Sequence, residues 1–132
     1  MAYLVDSDMV IDFLANDPQT ITLFDALSAD GIFVSLISYM EAFQGVVDNG
    51  LTQDDQDKFN QFFAGVPVLP LTPEIAIRCA HVRSLLKQQG KNVRRRALDL
   101  LIAATALEQG LALVTHNDDD YKDIPNLNRY QW

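Results

Sequence analysis

No lysine or arginine occurs in the first 57 residues, although eleven aspartates and glutamates do. Cysteine is nearly missing too. Cys79 stands alone, so no internal disulfide can form, and a reducing cytoplasm is the expected setting. No Cys and His cluster has the spacing of a zinc site. No segment approaches the ~20 apolar residues that a membrane span needs. The N-terminus also lacks the basic and then apolar order of a secretory signal, so neither membrane attachment nor export is expected. Repeats, low-complexity tracts and linker-like stretches are absent, and residues 1–132 are read as one domain. A chain of this length buries about two-thirds of its unfolded surface.

The net charge is −8, which argues against a general binder of polyanions. Its distribution matters more. Between Arg78 and Arg96 there are seven basic residues and no acid. Such a run is commonly a solvated helix face. The sharper reading is an anion-binding patch on an otherwise acidic protein.

Short β-rich runs alternate with helical patterns. "AYLV", "IFVS", "VPVLP" and "LALVT" read as strands, and the tail "IPNLNRYQW" as a fifth. The prolines of "VPVLP" place it at a sheet edge. Helices are expected over "MVIDFLAN", "PQTITLFDALSAD", "LISYMEAFQGVVDNG", "TQDDQDKFNQFFAG", "TPEIAIRCAHVRSLLKQQG" and "ALDLLIAATALEQG". Thr52 and Thr72 are the expected caps of two of them, and Leu36, Met40, Phe43 and Val47 the apolar face of the third. The alternation implies an α/β fold with a parallel sheet covered on both faces. Ligands of such sheets sit beyond the carboxyl ends of the strands.

Acids accumulate at that edge. Asp6 ends the first strand, and Asp8 opens the next helix as either a cap or a site residue. Glu41 fits a capping box with Ser38 or a functional role. Asp99 lies in the most apolar helix, where an ionised carboxylate costs several kcal/mol unless paired or metal-bound. A helix-dipole contact returns only about 0.3–1 kcal/mol, so Asp99 is read as a site residue. Asp118, Asp119 and Asp120 leave the strand "LALVT" at the same edge. Clustered carboxylates repel, and a divalent cation reverses that repulsion. An all-oxygen donor set favours Mg²⁺ or Mn²⁺, ions that activate water against a phosphodiester. The basic run then gains a partner: Arg94, Arg95 and Arg96 are candidates for the nucleic-acid backbone, against the plainer reading as helix-flanking charge.

Three stretches taken in order, "YLVDSDMVIDFL", "SLISYMEAFQG" and "LDLLIAATALEQGLALVTHNDDDY", resemble the PIN-domain ribonucleases, and within them the VapC-type toxins of prokaryotic toxin–antitoxin pairs. The resemblance spans nearly the whole chain. It implies a three-layer α/β/α sandwich with a central parallel sheet of four or five strands. It implies Mg²⁺- or Mn²⁺-dependent endonucleolytic cleavage of RNA, a homodimer, and a small antitoxin whose tail brings Arg or Lys toward the acids. Residue by residue, Asp6, Glu41 and Asp99 become the acidic triad and Asp120 the fourth acid, with Asp118 as its competitor. Asp6, Asp99 and Asp120 become metal ligands. Ser7, Thr115 and Asn117 become neighbours that position water or phosphate. Asp8 departs from the pattern, standing where these toxins often carry Asn.

Two other readings compete. One is a domain of this family that has lost catalysis and only binds a partner or metal. The other is a phosphohydrolase built on "DSD", which needs a later Ser or Thr strand motif that "VPVLP" does not supply. Cys79 and the phenylalanines 24, 43, 59, 62 and 63 read as core or dimer contact, His81 as exposed, and Asp12 as the polar side of its helix. His116 is expected to face away from Thr115.

Overall fold

In the computed structural model, which describes residues 1–132, four of the apolar runs form strands. These are β1 (Tyr3–Val5), β2 (Ile32–Ser35), β3 (Val68–Leu69) and β4 (Ala112–Val114). All pair in parallel, in the order β3-β2-β1-β4. The connections carry α1 (Ser7–Leu14), α2 (Pro18–Leu27), α3 (Leu36–Asp48), α4 (Gln53–Gly65), α5 (Pro73–Gln88) and α6 (Ala97–Gln109). Thr52 and Thr72 cap α4 and α5 as expected, and β3 lies at the edge its prolines predict.

Alternation along the strands makes two cores. Leu4 and Leu113 are register partners and join Ile75, Leu86 and Leu100 beneath α5 and α6. The next pair, Val5 and Val114, points the other way, into Met9, Val10, Phe24 and Phe59 beneath α1 to α4. A parallel strand with both faces covered requires this pattern, and the result is the three-layer sandwich. Cys79 is buried in the first core, and the five phenylalanines belong to the second.

Three expectations need correction. The helix predicted from Met9 begins at Ser7, because Asp6 turns its own carboxylate back to accept the Ser7 N–H at 2.8 Å. The face of α3 is rotated. Ser38, Ala42 and Val46 are buried, whereas Leu36, Met40 and Val47 are each more than 40% exposed. Ser38, Ala42 and Val46, spaced i, i+4 and i+8, lie on one side of the helix. The tail adds no full strand. It touches β4 at a single bridge, Leu113 with Arg129, since Pro125 and the left-handed Asn126 (φ 66°) interrupt the extended chain before it.

The parallel sheet delivers β1, β2 and β4 to one edge. Asp6, the start of α3 and Thr115 therefore emerge side by side. No helix is long and apolar enough to cross a membrane.

Candidate active site

Asp6 still belongs to the sheet through its backbone, donating its N–H to Val114 O at 2.9 Å. Its side chain is almost fully buried. One oxygen caps α1, and the other, Oδ2, accepts from the Thr115 hydroxyl at 2.9 Å. Oδ2 also lies 3.3 Å from the hydroxyl of Tyr121, and that hydroxyl is 3.3 Å from Oδ1 of Asp99. Asp6 and Asp99, far apart in sequence, thus share one phenol. Tyr121 is 1% exposed and has a single proton to offer two acceptors. Burial, followed by the Asp6 and Asp99 charges, pushes its pKa far up, so it remains a donor.

Asp99 sits in the first turn of α6, half-buried. Arg96, which is close to it in sequence, is engaged elsewhere. The Arg96 guanidinium grips both oxygens of Asp123 at 2.8 Å and the Asp120 carbonyl at 2.7 Å. With Lys91, it holds Asp123 well below the usual carboxylate range. Arg96 therefore fastens α6 to the loop after β4 and is not free for a phosphate, whereas Arg94 and Arg95 are exposed.

Glu41 lies in the second turn of α3. The capping box is excluded, because the cap is Ser35, whose hydroxyl accepts the Ser38 N–H at 3.0 Å. Asp8 accepts the His116 N–H at 3.0 Å and the Asn117 side-chain amide at 3.3 Å on Oδ2. Its other oxygen, and Oε1 of Glu41, are buried without any partner. The Thr115 hydroxyl also accepts the Asn117 N–H at 3.0 Å, which locks the strand exit.

The charges act as one group. Burial pushes the Asp6 carboxyl up to about 6, with the Asp8 charge next in importance. Burial also raises Asp8, Glu41 and Asp99. Glu41 feels Asp99 and Asp8, and Asp99 feels Asp120. Asp118 turns away to Arg129 and Gln131, which leaves exposed Asp120 as the aspartate of its run that acts on Asp99.

Four residues take a larger part than sequence reasoning assigned them. Asp8 is integral to the cluster. Tyr121 was visible only as an aromatic after Asp120, with nothing to announce its hydroxyl. His116 and Asp12, both set aside as bland, pair at 2.9 Å. No three acids, histidines or cysteines are drawn together closely enough to chelate an ion unaided. The acids line an open wall. A concavity between α1, α2 and α4, lined by Phe13, Phe24 and Phe62, contains none of them.

This wall can be set beside known proteins. The PIN domain profile matches residues 3–127. Ribonuclease VapC1 of Haemophilus influenzae (strain R2866) is 26% identical over 134 residues, covering 100% of this chain and 98% of that protein. The tRNA(fMet)-specific endonuclease VapC of Shigella flexneri is 22% identical over 132 residues, with the same coverage. Among solved structures, VapBC2 from Rickettsia felis bound to a promoter DNA fragment superposes with a TM-score of 0.90 at 24% identity, covering 100% of this chain and 99% of that one. VapBC-1 from nontypeable Haemophilus influenzae gives 0.81 at 25% identity, covering 100% and 98%. The profile runs from β1 past Tyr121 and takes in every acid of the wall: the chain belongs to the PIN domain family.

Proposed function

We propose that this protein is a metal-dependent endoribonuclease, the toxin of a VapBC-type toxin–antitoxin pair, with Asp6, Glu41, Asp99 and Asp120 as its acids. The carrying observation is the pair of buried carboxylate oxygens without partners, Asp8 Oδ1 and Glu41 Oε1, in the group that contains Asp6 and Asp99. Unpaired ionised oxygens cost several kcal/mol when buried, and a dication removes that cost. The donor set is all oxygen and suits Mg²⁺ or Mn²⁺. Mg²⁺ keeps several waters and needs only one or two carboxylates, so an open wall fits it better than a closed cage would.

Asp6 and Asp99 would hold the ion, with Asp120 reaching it from the loop. When bound, the ion supplies positive charge to the phosphodiester and acidifies water. Thr115 and Asn117 keep Asp6 and Asp8 oriented, and Ser7 stands beside Glu41. Glu41 Oε1 is free to take a proton from the attacking water as the water oxygen bonds to phosphorus and the ester P–O bond breaks.

The test is incubation of purified protein with RNA and Mg²⁺ or Mn²⁺, with and without chelator. Cleavage that survives chelation would remove the metal from the proposal. Stable RNA with both ions would favour the non-catalytic binding module.

Tyr121 is a positioning residue in this scheme. Tyr121→Phe should weaken Mn²⁺ binding by roughly tenfold, as loss of a group that orients metal ligands commonly does. Titration calorimetry without RNA measures this directly, and an unchanged affinity would reduce Tyr121 to packing.

Arg94 and Arg95 supply the backbone contacts in the proposal. Replacing both with Ala should flatten the dependence of log binding constant on log salt by about 1.4 for single-stranded RNA. Arg96→Ala should instead lower the melting temperature, since it unfastens Asp123. Equal salt slopes for wild type and the double variant would return both arginines to plain surface charge.

The antitoxin and the homodimer are further parts of the proposal. Apolar side chains left exposed on α1 and α3, including Ile11, Met40 and Val47, supply surface for such contacts.

A further inference from the structure

Residues 128–130 run alongside β4: the Leu113 N–H donates to Asn128 O and the Tyr130 N–H to Leu113 O, both at 2.8 Å. Extended backbone sends alternate side chains to opposite sides. Arg129 and Gln131 go one way, and both reach Asp118. Tyr130 and Trp132 go the other. Tyr130 packs edge-on against Tyr3 at 5.4 Å and is half-buried. Trp132 lies nearly parallel to Tyr130 (6.0 Å between centroids, 23° between planes) and 5.7 Å from the ring of His116. His116 is in turn moored by Asp12 through Nε2 and by its own backbone N–H to Asp8.

The indole is thus placed by two rings, one residue from the acid wall, yet it remains 59% exposed. Nothing in the chain covers its outer side. Its position relative to the basic residues is also informative. Tyr130 packs with the core under α1 to α4, whereas Arg94 and Arg95 precede α6 on the other face of the sheet. The acids therefore lie between a basic margin and an aromatic one. A strand crossing them can lay phosphates on the first and bases on the second.

We propose that Trp132, with His116 beside it, is a stacking subsite for one unpaired base of the RNA, next to the bond that is cut. This rests on the ribonuclease reading above. Aromatic stacking accepts any base, because every base has a π-face, but it excludes bases held in a helix. The subsite therefore selects single-stranded segments and not a sequence.

Trp132 is the only tryptophan, so indole fluorescence reports this place alone. The probe is a 12-nucleotide single-stranded RNA of mixed sequence, offered with Mg²⁺ to the Asp99→Asn protein so that it is bound and not cut. Fluorescence should be quenched saturably, with the same Kd as anisotropy of the labelled strand gives. The same strand annealed to its complement, and inorganic polyphosphate, should leave it unchanged. Trp132→Ala should weaken binding by roughly 5- to 150-fold and Trp132→Phe should restore most of it, as expected for one stacked base. Equal Kd for Trp132→Ala, or quenching by polyphosphate, would overturn the subsite. So would a fluorescence change on dilution without RNA, which would mark a contact between copies of the chain. The ribonuclease reading fails separately, by absence of cleavage in the wild type. Wild-type cleavage with an unchanged KM for Trp132→Ala sinks the subsite alone.

Discussion

Asp99→Asn should lower metal-dependent RNA cleavage by roughly a thousandfold, equivalent to about 4 kcal/mol of transition-state stabilisation. The substitution keeps the size and one carbonyl oxygen, so the Tyr121 hydroxyl retains an acceptor. It removes the charge that would hold the ion with Asp6. Burial already disfavours the ionised form of Asp99, and the Asp120 charge adds to that. Folding should consequently be unharmed or slightly improved. That combination separates a chemical role from a structural one. Cleavage rates and melting curves on the same preparation check it: a variant that still cleaves at near wild-type rate, or one that is inactive because it has unfolded, would each count against the assignment.

Thermal stability should depend steeply on divalent ions at neutral pH and much less at pH 5. Asp6 titrates near 6 in the folded protein and near 3.8 when unfolded. Between about pH 4 and 6 the native state therefore holds more protons, and stability falls as pH rises through that window. Asp6 alone accounts for about 3 kcal/mol by pH 7. Asp8, Glu41 and Asp99 shift in the same direction. Asp17 and Asp123 shift downward, so their stabilising contributions disappear only below about pH 4 and do not oppose the trend. In chelator, the melting temperature should be higher at pH 5 than at pH 7. Mn²⁺ at a hundred times its Kd adds about 2.7 kcal/mol, or roughly 10 °C for a chain of this length. Identical melting curves with chelator and with Mn²⁺ at pH 7 would show that the acids bind no ion.

Much of this site was legible from the sequence, and the reasons are physical. A parallel sheet sends its strand ends to one edge, so an acid after β1 and a threonine after β4 had to meet, as Asp6 and Thr115 do. Asp99 stood out because its helix is otherwise apolar. The misreadings have physical causes too. The face of α3 was misplaced because Ser38 and Ala42 carry little hydrophobic weight, although both are buried. Arg94, Arg95 and Arg96 looked alike in a run, and only Asp123, supplied by a distant loop, sets the third apart. The Tyr121 hydroxyl and the His116–Asp12 pair depend on contacts between segments at opposite ends of the chain, which no local spacing encodes.

The first strand is flanked on one side by β4, so the opening residues of the polypeptide wait for nearly its last ones. Until Thr115 and Tyr121 have been synthesised, the Asp6 carboxylate lacks both of their hydroxyls and its strand lacks a neighbour on that side. The pairing of β1 with β4 spans most of the polypeptide, so this edge of the sheet reaches its final form only once the last strand is in place.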